Sequence, residues 1–567
     1  MPEISRYYQP GLTLPDLLKR SAMAYADLFI GYMNDKGETD KQTYHSLYQE
    51  AGKVAAGLHH LGLKQGDKAI IATLHNRETI TLLWGCFLLG VVPTVLQPPM
   101  TFSGYNPAVV KLMNVFGQMG EPFIFMSEEM KETGGLPQEK VRHTGDLDCS
   151  GTYTEPLIDP DDTAFIQFSS GSTGDPKGIL LTHHNLMVNM DAIRIGLDLQ
   201  HSDNTGNWMP LFHDMGLIGY HLTPIYCAHN QFHIETIDFI KNPGLWLDLM
   251  SEQGIGVTGC PNFGLALVLR HLNRRKILPE WNFSSMKAML NGAEPISVQI
   301  MNDFVETLKP FGFSPEAMMP VYGMAEATLA ISFTPLMQPS VVTAFDATAL
   351  DIENRAMKVG PSHPSARLLS GVGLALNDTE IRVTDNNDQP LCEGYAGHIQ
   401  LRGKGITSGY YNKPEETASA FVDDWLRTGD IGFFFEGNLY VSGRHKDIIF
   451  KNGRNYFAND LEVMACTLED ISYGKVCFGG TTSRETGHDK VIAFLAGSPG
   501  EKAMETFRQL RNLLRANLGI TVDELVMVKS NEIPKTSSGK LQRYKLMQRY
   551  VAGDFDDTSI IAENIQA

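Results

Sequence analysis

Four hydroxyl side chains, three glycines and a lysine fall within the ten residues 169–178, SSGSTGDPKG. That composition suits a polyphosphate ligand. Glycine lets the backbone turn its N–H groups inward at Gly171 and Gly174, Ser169, Ser170, Ser172 and Thr173 add hydroxyl donors, and Lys177 adds a compact positive charge. The strand-like Thr163–Phe168 ahead and the helix-like Thr182–Met190 behind predict a strand-to-helix junction, where α/β sheets hold their ligands. The competing reading is a flexible Gly/Ser surface turn. The loop is not the G-x-x-x-x-G-K-[ST] nucleotide loop, because Pro176 precedes Lys177 and Gly178 follows it.

Further stretches carry candidate chemistry. WMPLFHDMGLIGYHL (208–222) sets His213 and Asp214 inside an apolar run; it reads as an aromatic wall between a nucleotide and an apolar cleft, or as a core histidine held by its neighbour. A catalytic dyad is disfavoured, since adjacent residues on a strand or helix point in different directions. In MLNGAEPI (289–296) Gly292 lets backbone approach a planar ligand, and Asn291, Ala293 and Glu294 share its turn. PVYGMAEATLA (320–330) repeats the pattern, with Tyr322 to stack on a purine, Gly323, Met324 and Ala325 beside it, and Glu326 one turn into a helix to hold Mg²⁺ against phosphate oxygens. The bland alternatives are a core tyrosine and a solvated carboxylate. Asp430 in Thr-Gly-Asp is a suitable bidentate acceptor for ribose hydroxyls, with Arg444 in reach of the same sugar or its phosphate. Lys540 sits in the polar loop PKTSSGKLQR (534–543), where a lone lysine is ordinarily just solvated.

The elements that position these residues follow an α/β rhythm. Thr13 and Asp16 form a near capping box before a helix with Leu14, Leu17 and Leu18 on one stripe. Thr43 caps a second helix that Gly62 ends. Strand-like runs at Ala69–Ala72, Val91–Leu96, Pro122–Met126 and Thr163–Phe168 alternate with helices, predicting a largely parallel sheet. Gly437 and Asn438 turn a hairpin. Past Lys446 the composition shifts to an α+β unit, with strands predicted at Tyr473–Phe478 and Val491–Leu495 and a helix presenting Phe507, Leu510, Leu513 and Leu514, which places a domain boundary there.

The totals exclude several classes. A chain of 567 residues exceeds one hydrophobic core, so two or more domains are expected. Its formal charge of −18 argues against nucleic acid and anionic membranes. Seven scattered cysteines without C-x-x-C spacing read as reduced, buried thiols of a cytoplasmic protein. MPEISRYYQP has no signal-peptide pattern, and the uncharged Thr79–Leu96 is divided by Gly90 and Pro93, so no membrane span is expected.

Taken in order, SSGSTGDPKG, YGMAE, RTGD, GRHKD and PKTSSGK resemble the phosphate, adenine/magnesium, ribose, hinge and catalytic-lysine motifs of the adenylate-forming superfamily, along nearly the whole chain. Within it, HDMGLI, NGAEPI, YGMAEATL and the Lys446-Asp447 pair followed by GRN most resemble the fatty-acyl-AMP ligases. The segment from about Pro335 to Ser370 falls where those ligases carry an insertion.

The resemblance implies a large N-terminal domain (1–445) of α/β layers with a smaller β-barrel-like part, and a small mobile α+β C-terminal domain (446–567). It implies ATP-dependent formation of acyl-AMP, with Ser169 to Lys177 on the phosphates, Glu326 on Mg²⁺, and Lys540 bridging the acyl carboxylate and α-phosphate. The acyl group then passes to the phosphopantetheine thiol of an acyl carrier protein on another chain, Lys446 acting as the hinge that withdraws Lys540 and presents the Lys451–Asn455 loop. The acyl pocket is expected to be lined by Trp208, Phe212, Met215 and the 335–370 segment. Rival readings are an acyl-CoA ligase, an enzyme for another carboxylic acid, and a non-catalytic binding protein on the same fold.

Overall fold

The structure, a computed structural model, describes residues 11–99, 107–131, 133–168, 176–275, 279–451, 454–482, 489–498, 500–536, 540–555 and 559–561. Local signals set the first elements. The Thr13 backbone N–H and hydroxyl both donate to the Asp16 carboxylate, closing the start of helix Leu14–Ala24. Thr43 Oγ1 accepts from the Ser46 N–H to cap Tyr44–His60, and Gly62 leaves that helix at φ +88°. Gly90, at φ +70°, separates helix Asn76–Leu89 from strand Val92–Val95. Among the described residues no helix is long and apolar enough to cross a membrane.

Two sheets organise the N-terminal part. The smaller is four-stranded and parallel, in the order Val92–Val95, Lys68–Ala72, Phe123–Met126, Val141–His143. The larger has nine strands, in the order Leu374–Ala375, Ala330–Phe333, Met318–Gly323, Ala288–Asn291, Val257–Gly259, Asn204–Asn207, Asn230–Ile234, Phe29–Met33, Thr39–Thr43. The six strands from Met318–Gly323 to Phe29–Met33 run parallel and only the edges are antiparallel. Helical and strand residues such as Leu47, Trp84, Trp246 and Met289 share one buried core around them. A five-stranded antiparallel sheet, built on Trp425–Phe435 and its partners Gly397–Gly403 and Asn438–Arg444, forms the smaller β part.

The last quarter has cores of its own. Strands Val476–Thr482, Asp489–Ala496, Glu524–Val528 and Ser559–Ile561 make a mixed sheet whose alternate residues face opposite sides: Val491 and Ala493 join Phe507, Leu510 and Leu514, while Ile492 and Phe494 join Val526 and Leu546. All seven cysteines are free; four are buried, and Cys392, contrary to the buried-thiol expectation, is exposed.

The structure also corrects local expectations. Gly178–Thr182 is a strand, paired antiparallel with Thr163–Phe168, so the Gly/Ser loop connects two strands; helix His183–Gly196 starts only after the Thr182 cap. The apolar run Ile179–Leu181 favours a strand ahead of that cap. Glu326 lies in a single 3₁₀ turn, Ala325–Ala327, followed by strand Ala330–Phe333 rather than by a helix. The hairpin turns at Glu436 and Gly437, both at positive φ, and Asn438 already opens the next strand. The strand expected at Tyr473–Phe478 runs from Val476 to Thr482.

Candidate active site

A cavity of about 760 Å³ opens where the parallel strands of the large sheet end. Strand Met318–Gly323 delivers Tyr322, Gly323, Met324, Ala325 and Glu326 to its wall. Gly323 is required by close approach: a Cβ there would lie 2.1 Å from the Leu329 carbonyl oxygen. The Tyr410 hydroxyl donates to Glu326 Oε1 at 3.0 Å, and the Lys177 ammonium stands 4.8 Å from the Tyr410 ring centroid. Burial raises the Glu326 carboxyl pKa above its ordinary value, opposed by the hydrogen bond from Tyr410.

A second carboxylate is held from the opposite side. The Tyr322 hydroxyl donates to Asp430 Oδ2 at 2.5 Å, and Arg444 Nε lies 3.4 Å from Asp430 Oδ1. Burial raises the Asp430 pKa and Arg444 counters it. Tyr322 is therefore a buried wall residue with its hydroxyl already engaged, and Arg444 is the exposed member of the trio facing the cavity.

His213 and Asp214 contact each other, as a histidine held by its neighbour would: His213 Nδ1 is 2.8 Å from Asp214 Oδ1. Asp214 caps the π-helical stretch Met215–Leu222, accepting from the Met215 N–H at 2.7 Å, and this turn folds the two side chains together. Burial raises the Asp214 carboxyl, but His213 and Lys540 outweigh it and hold it below its usual value. Phe212, His213, Asp214 and Met215 all line the cavity.

Lys540 reaches the same cavity from the C-terminal unit. Its backbone N–H donates to Thr536 Oγ1 at 3.0 Å, and the Thr536 N–H returns a bond to the Lys540 carbonyl at 2.7 Å. Burial lowers the Lys540 pKa, Asp214 acting against that shift. Arg543 anchors the following helix, Arg543–Val551, with a bidentate pair to Glu462 at 2.8 and 2.6 Å and a bond to Asp447 at 2.8 Å. Lys446, in the turn His445–Asp447, also lines the cavity.

Several expected residues are placed elsewhere. Ser169, Ser170, Gly171, Ser172, Thr173 and Gly174 lie outside the described residues. Trp208 does not line the cavity; it is buried, with its ring stacked on Phe239 at 3.8 Å between centroids. Of the 291–294 turn only Ala293, at φ +66°, faces the cavity. Asn291 Nδ2 donates to the Cys260 carbonyl and Glu294 accepts from the Phe263 N–H, so both brace the turn. Gly292 packs against Val321, whose Cγ2 would lie 2.7 Å from an added Cβ. The 335–370 segment is absent from the described cavity wall. Its Phe345 packs edge-on to Phe433, Phe435 and Tyr440 of the antiparallel sheet, and its Arg367 pairs with Asp351 and approaches Asp460 at 3.3 Å.

Several cavity residues escape the sequence reading, two of them beside the charged groups. Tyr410 sits in GYYNK, far in sequence from the motifs singled out, and Lys111 is a single lysine on helix Pro107–Gln118. Burial, reinforced by Lys545, lowers the Lys111 pKa to about 8. An ammonium so disfavoured by its surroundings is suited to an anionic ligand.

A charged mouth continuous with an apolar arm, facing a lysine from a separate small unit, defines an enzyme that brings a nucleotide and an apolar acid together. The chain belongs to the AMP-binding enzyme family, matched over residues 19–411. It is an AMP-forming enzyme that adenylates an acyl group with ATP. It is 32% identical over 91% of its length, and 91% of the relative's, to a Caulobacter vibrioides protein provisionally described as an acyl-CoA synthetase. It is 27% identical to the medium-chain-fatty-acid–[acyl-carrier-protein] ligase JamA of Moorena producens, with 96% of each chain covered. A structure from work on fatty acyl-adenylate ligases of E. coli and L. pneumophila superposes with a TM-score of 0.87 at 27% identity, covering 96% of this chain and all of the other.

Proposed function

We propose that the chain activates a medium-chain fatty acid and passes it to an acyl carrier protein on a separate chain, in the cytoplasm. The observation that carries the reading is the meeting of Glu326, Asp214, Arg444 and Lys540 at one mouth of a cavity whose other arm is apolar. JamA, by its name, acts on a medium-chain fatty acid and a carrier protein.

In the first half-reaction a carboxylate oxygen attacks the α-phosphorus of ATP. The bond to the bridging β-phosphate oxygen breaks and pyrophosphate leaves. Both reactants are anionic, so the protein's work is positioning and charge neutralisation. Lys540 serves the acyl carboxylate and α-phosphate, held in reach by Asp214. Lys177 and Lys111 face the departing phosphates, and Arg444, fixed by Asp430, faces the ribose side. Glu326 fits Mg²⁺ as a donor: it lines the cavity, and the hydrogen bond from Tyr410 goes to Oε1, so its carboxylate would be the protein ligand of an ion otherwise held by phosphate oxygens. Such an ion would neutralise phosphate charge.

In the second half-reaction the phosphopantetheine sulfur attacks the acyl carbon, loses its proton, and AMP leaves. Lys540 must withdraw to admit the thiol, and the His445–Asp447 turn is the hinge about which it does so. Lys446→Pro is expected to slow thioester formation far more than adenylate formation; equal losses in both half-reactions would refute the hinge. A second reading, transfer to CoA, is favoured by the Caulobacter relative. Chasing preformed acyl-AMP with CoA or with carrier protein separates the two.

A further inference from the structure

The hinge end of the cavity has a polar wall that neither half-reaction above employs. Strands Gly397–Gly403, Trp425–Phe435 and Asn438–Arg444 set His398, Ile431 and Gly443 in one row, and His445 follows two residues on, opening the His445–Asp447 turn. The rings of His398 and His445 meet with centroids 5.3 Å apart, tilted by 51°. Both residues line the cavity beside Asn386, Asp388 and Arg427. His398 is half-buried and His445 is exposed. This ring contact ties the turn to a strand outside the C-terminal unit.

The surroundings of His398 favour a neutral ring. Its Nε2 stands 3.0 Å from Asn386 Oδ1, an oxygen that only accepts, so the ring proton sits on Nε2 and a second proton would go to Nδ1. The charged and titratable groups facing it are His445, Asp388, Arg427 and Asp385. Asp388 is engaged by Arg427 in a bidentate pair at 3.0 and 2.6 Å and by the Gln400 amide at 2.6 Å. Asp385 accepts the Asn387 and Gln389 backbone N–H groups at 2.8 and 2.9 Å. Burial lowers the His398 pKa below its ordinary value and His445 lowers it further, so the ring is neutral at neutral pH. The share due to His445 exists only while the two rings are in contact.

We propose that His398 is a positioning residue for adenylate formation: its neutral ring holds the His445–Asp447 turn in the arrangement that brings Lys540 to the cavity, and its protonation releases the turn toward acyl transfer. Above the ordinary histidine value of about 6.5 the ring contact is fully present. As pH falls through that range, a second proton on His398 lies against His445 and Arg427 while both nearby carboxylates are already engaged, so the docked turn loses its advantage. The inference rests on the hinge reading above and adds the side chain that holds the hinge.

The test uses the full-length enzyme in single turnovers: adenylate formation from fatty acid and ATP, and acyl transfer from preformed acyl-AMP to phosphopantetheinylated carrier protein. At about pH 8, His398→Ala should raise the ratio of transfer rate to adenylation rate by about three- to tenfold, the effect of losing one aromatic pair. His398→Phe keeps a ring but cannot titrate, so its ratio should match the wild type at about pH 8, and the wild-type ratio should rise relative to it as pH falls to about 5.5. Tryptic cleavage at Arg444 and Lys446 reads the turn without any acyl acceptor, and it should be several-fold faster in His398→Ala. His398→Phe carries the test if His398→Ala does not fold. An unchanged ratio and cleavage rate in His398→Ala, or equal losses in both half-reactions, would overturn the inference while leaving the hinge, tested by Lys446→Pro, standing. A wild-type ratio that tracks His398→Phe at every pH would overturn it as well.

Discussion

The two ends of the cavity differ in how their polar groups are held. At the nucleotide end every carboxylate singled out has a protein partner: Glu326 with Tyr410, Asp430 with Tyr322 and Arg444, Asp214 with His213. At the acyl end the wall is assembled from single residues of different elements, mostly apolar ones such as Ile193, Leu197, Leu199, Val257 and Phe333. Charge that must meet charge in a transition state is fixed beforehand, because reorganising it during reaction would forfeit the stabilisation. A wall that selects a chain needs shape more than charge.

The largest expected effect lies at the charged end. Lys540→Ala should lower the rate of adenylate formation by about 10²–10³-fold, as loss of one preorganised charge-stabilising donor does; a near wild-type rate of acyl-AMP formation would break the contrast. Glu326→Gln should cost about 10²-fold and raise the Mg²⁺ concentration needed for half-maximal rate, read from a metal titration. Lys111→Gln should raise the ATP KM by about five- to tenfold, equivalent to about 1 kcal/mol. The sign of its pH dependence follows from its depressed pKa. Lys111 is charged below about pH 8 and neutral above it, so the wild-type ATP KM should climb as pH rises through 8 while Lys111→Gln shows a smaller rise over the same interval. The smallest effect belongs to a residue outside the cavity. Trp208→Phe should cost about 1 kcal/mol of stability, seen as a lower Tm, with no change in the acyl-chain profile; a shifted profile would return Trp208 to the pocket wall.

The same contrast explains what the sequence made legible. Tyr322 to Glu326 and Phe212 to Met215 are contiguous stretches that reach the cavity together, so reading the motif was nearly reading the wall. Lys111, Tyr220, His229 and Tyr410 come from four separate places in the chain, and only packing brings them to one space. Trp208 is four residues from Phe212 in sequence but does not share its direction; the chain turns between them, and Trp208 stacks on Phe239. Glu294 and Asn291 were polar and near a glycine, which a turn brace and a ligand contact satisfy equally. The alternation of helices with strands at 68–72, 92–95 and 123–126 was readable from apolar runs and Gly62 and Gly90, whereas the strand Gly178–Thr182 was hidden by its merger with the helix cap that follows.

The most direct measurement is an assay with radiolabelled medium-chain fatty acid, ATP and Mg²⁺, followed until acyl-AMP accumulates and then chased separately with CoA and with phosphopantetheinylated carrier protein. Acyl-AMP that survives CoA and transfers to the carrier is the predicted result. Rapid conversion to acyl-CoA would contradict the proposed acceptor, and no acyl-AMP at any chain length would contradict the fatty-acid substrate itself.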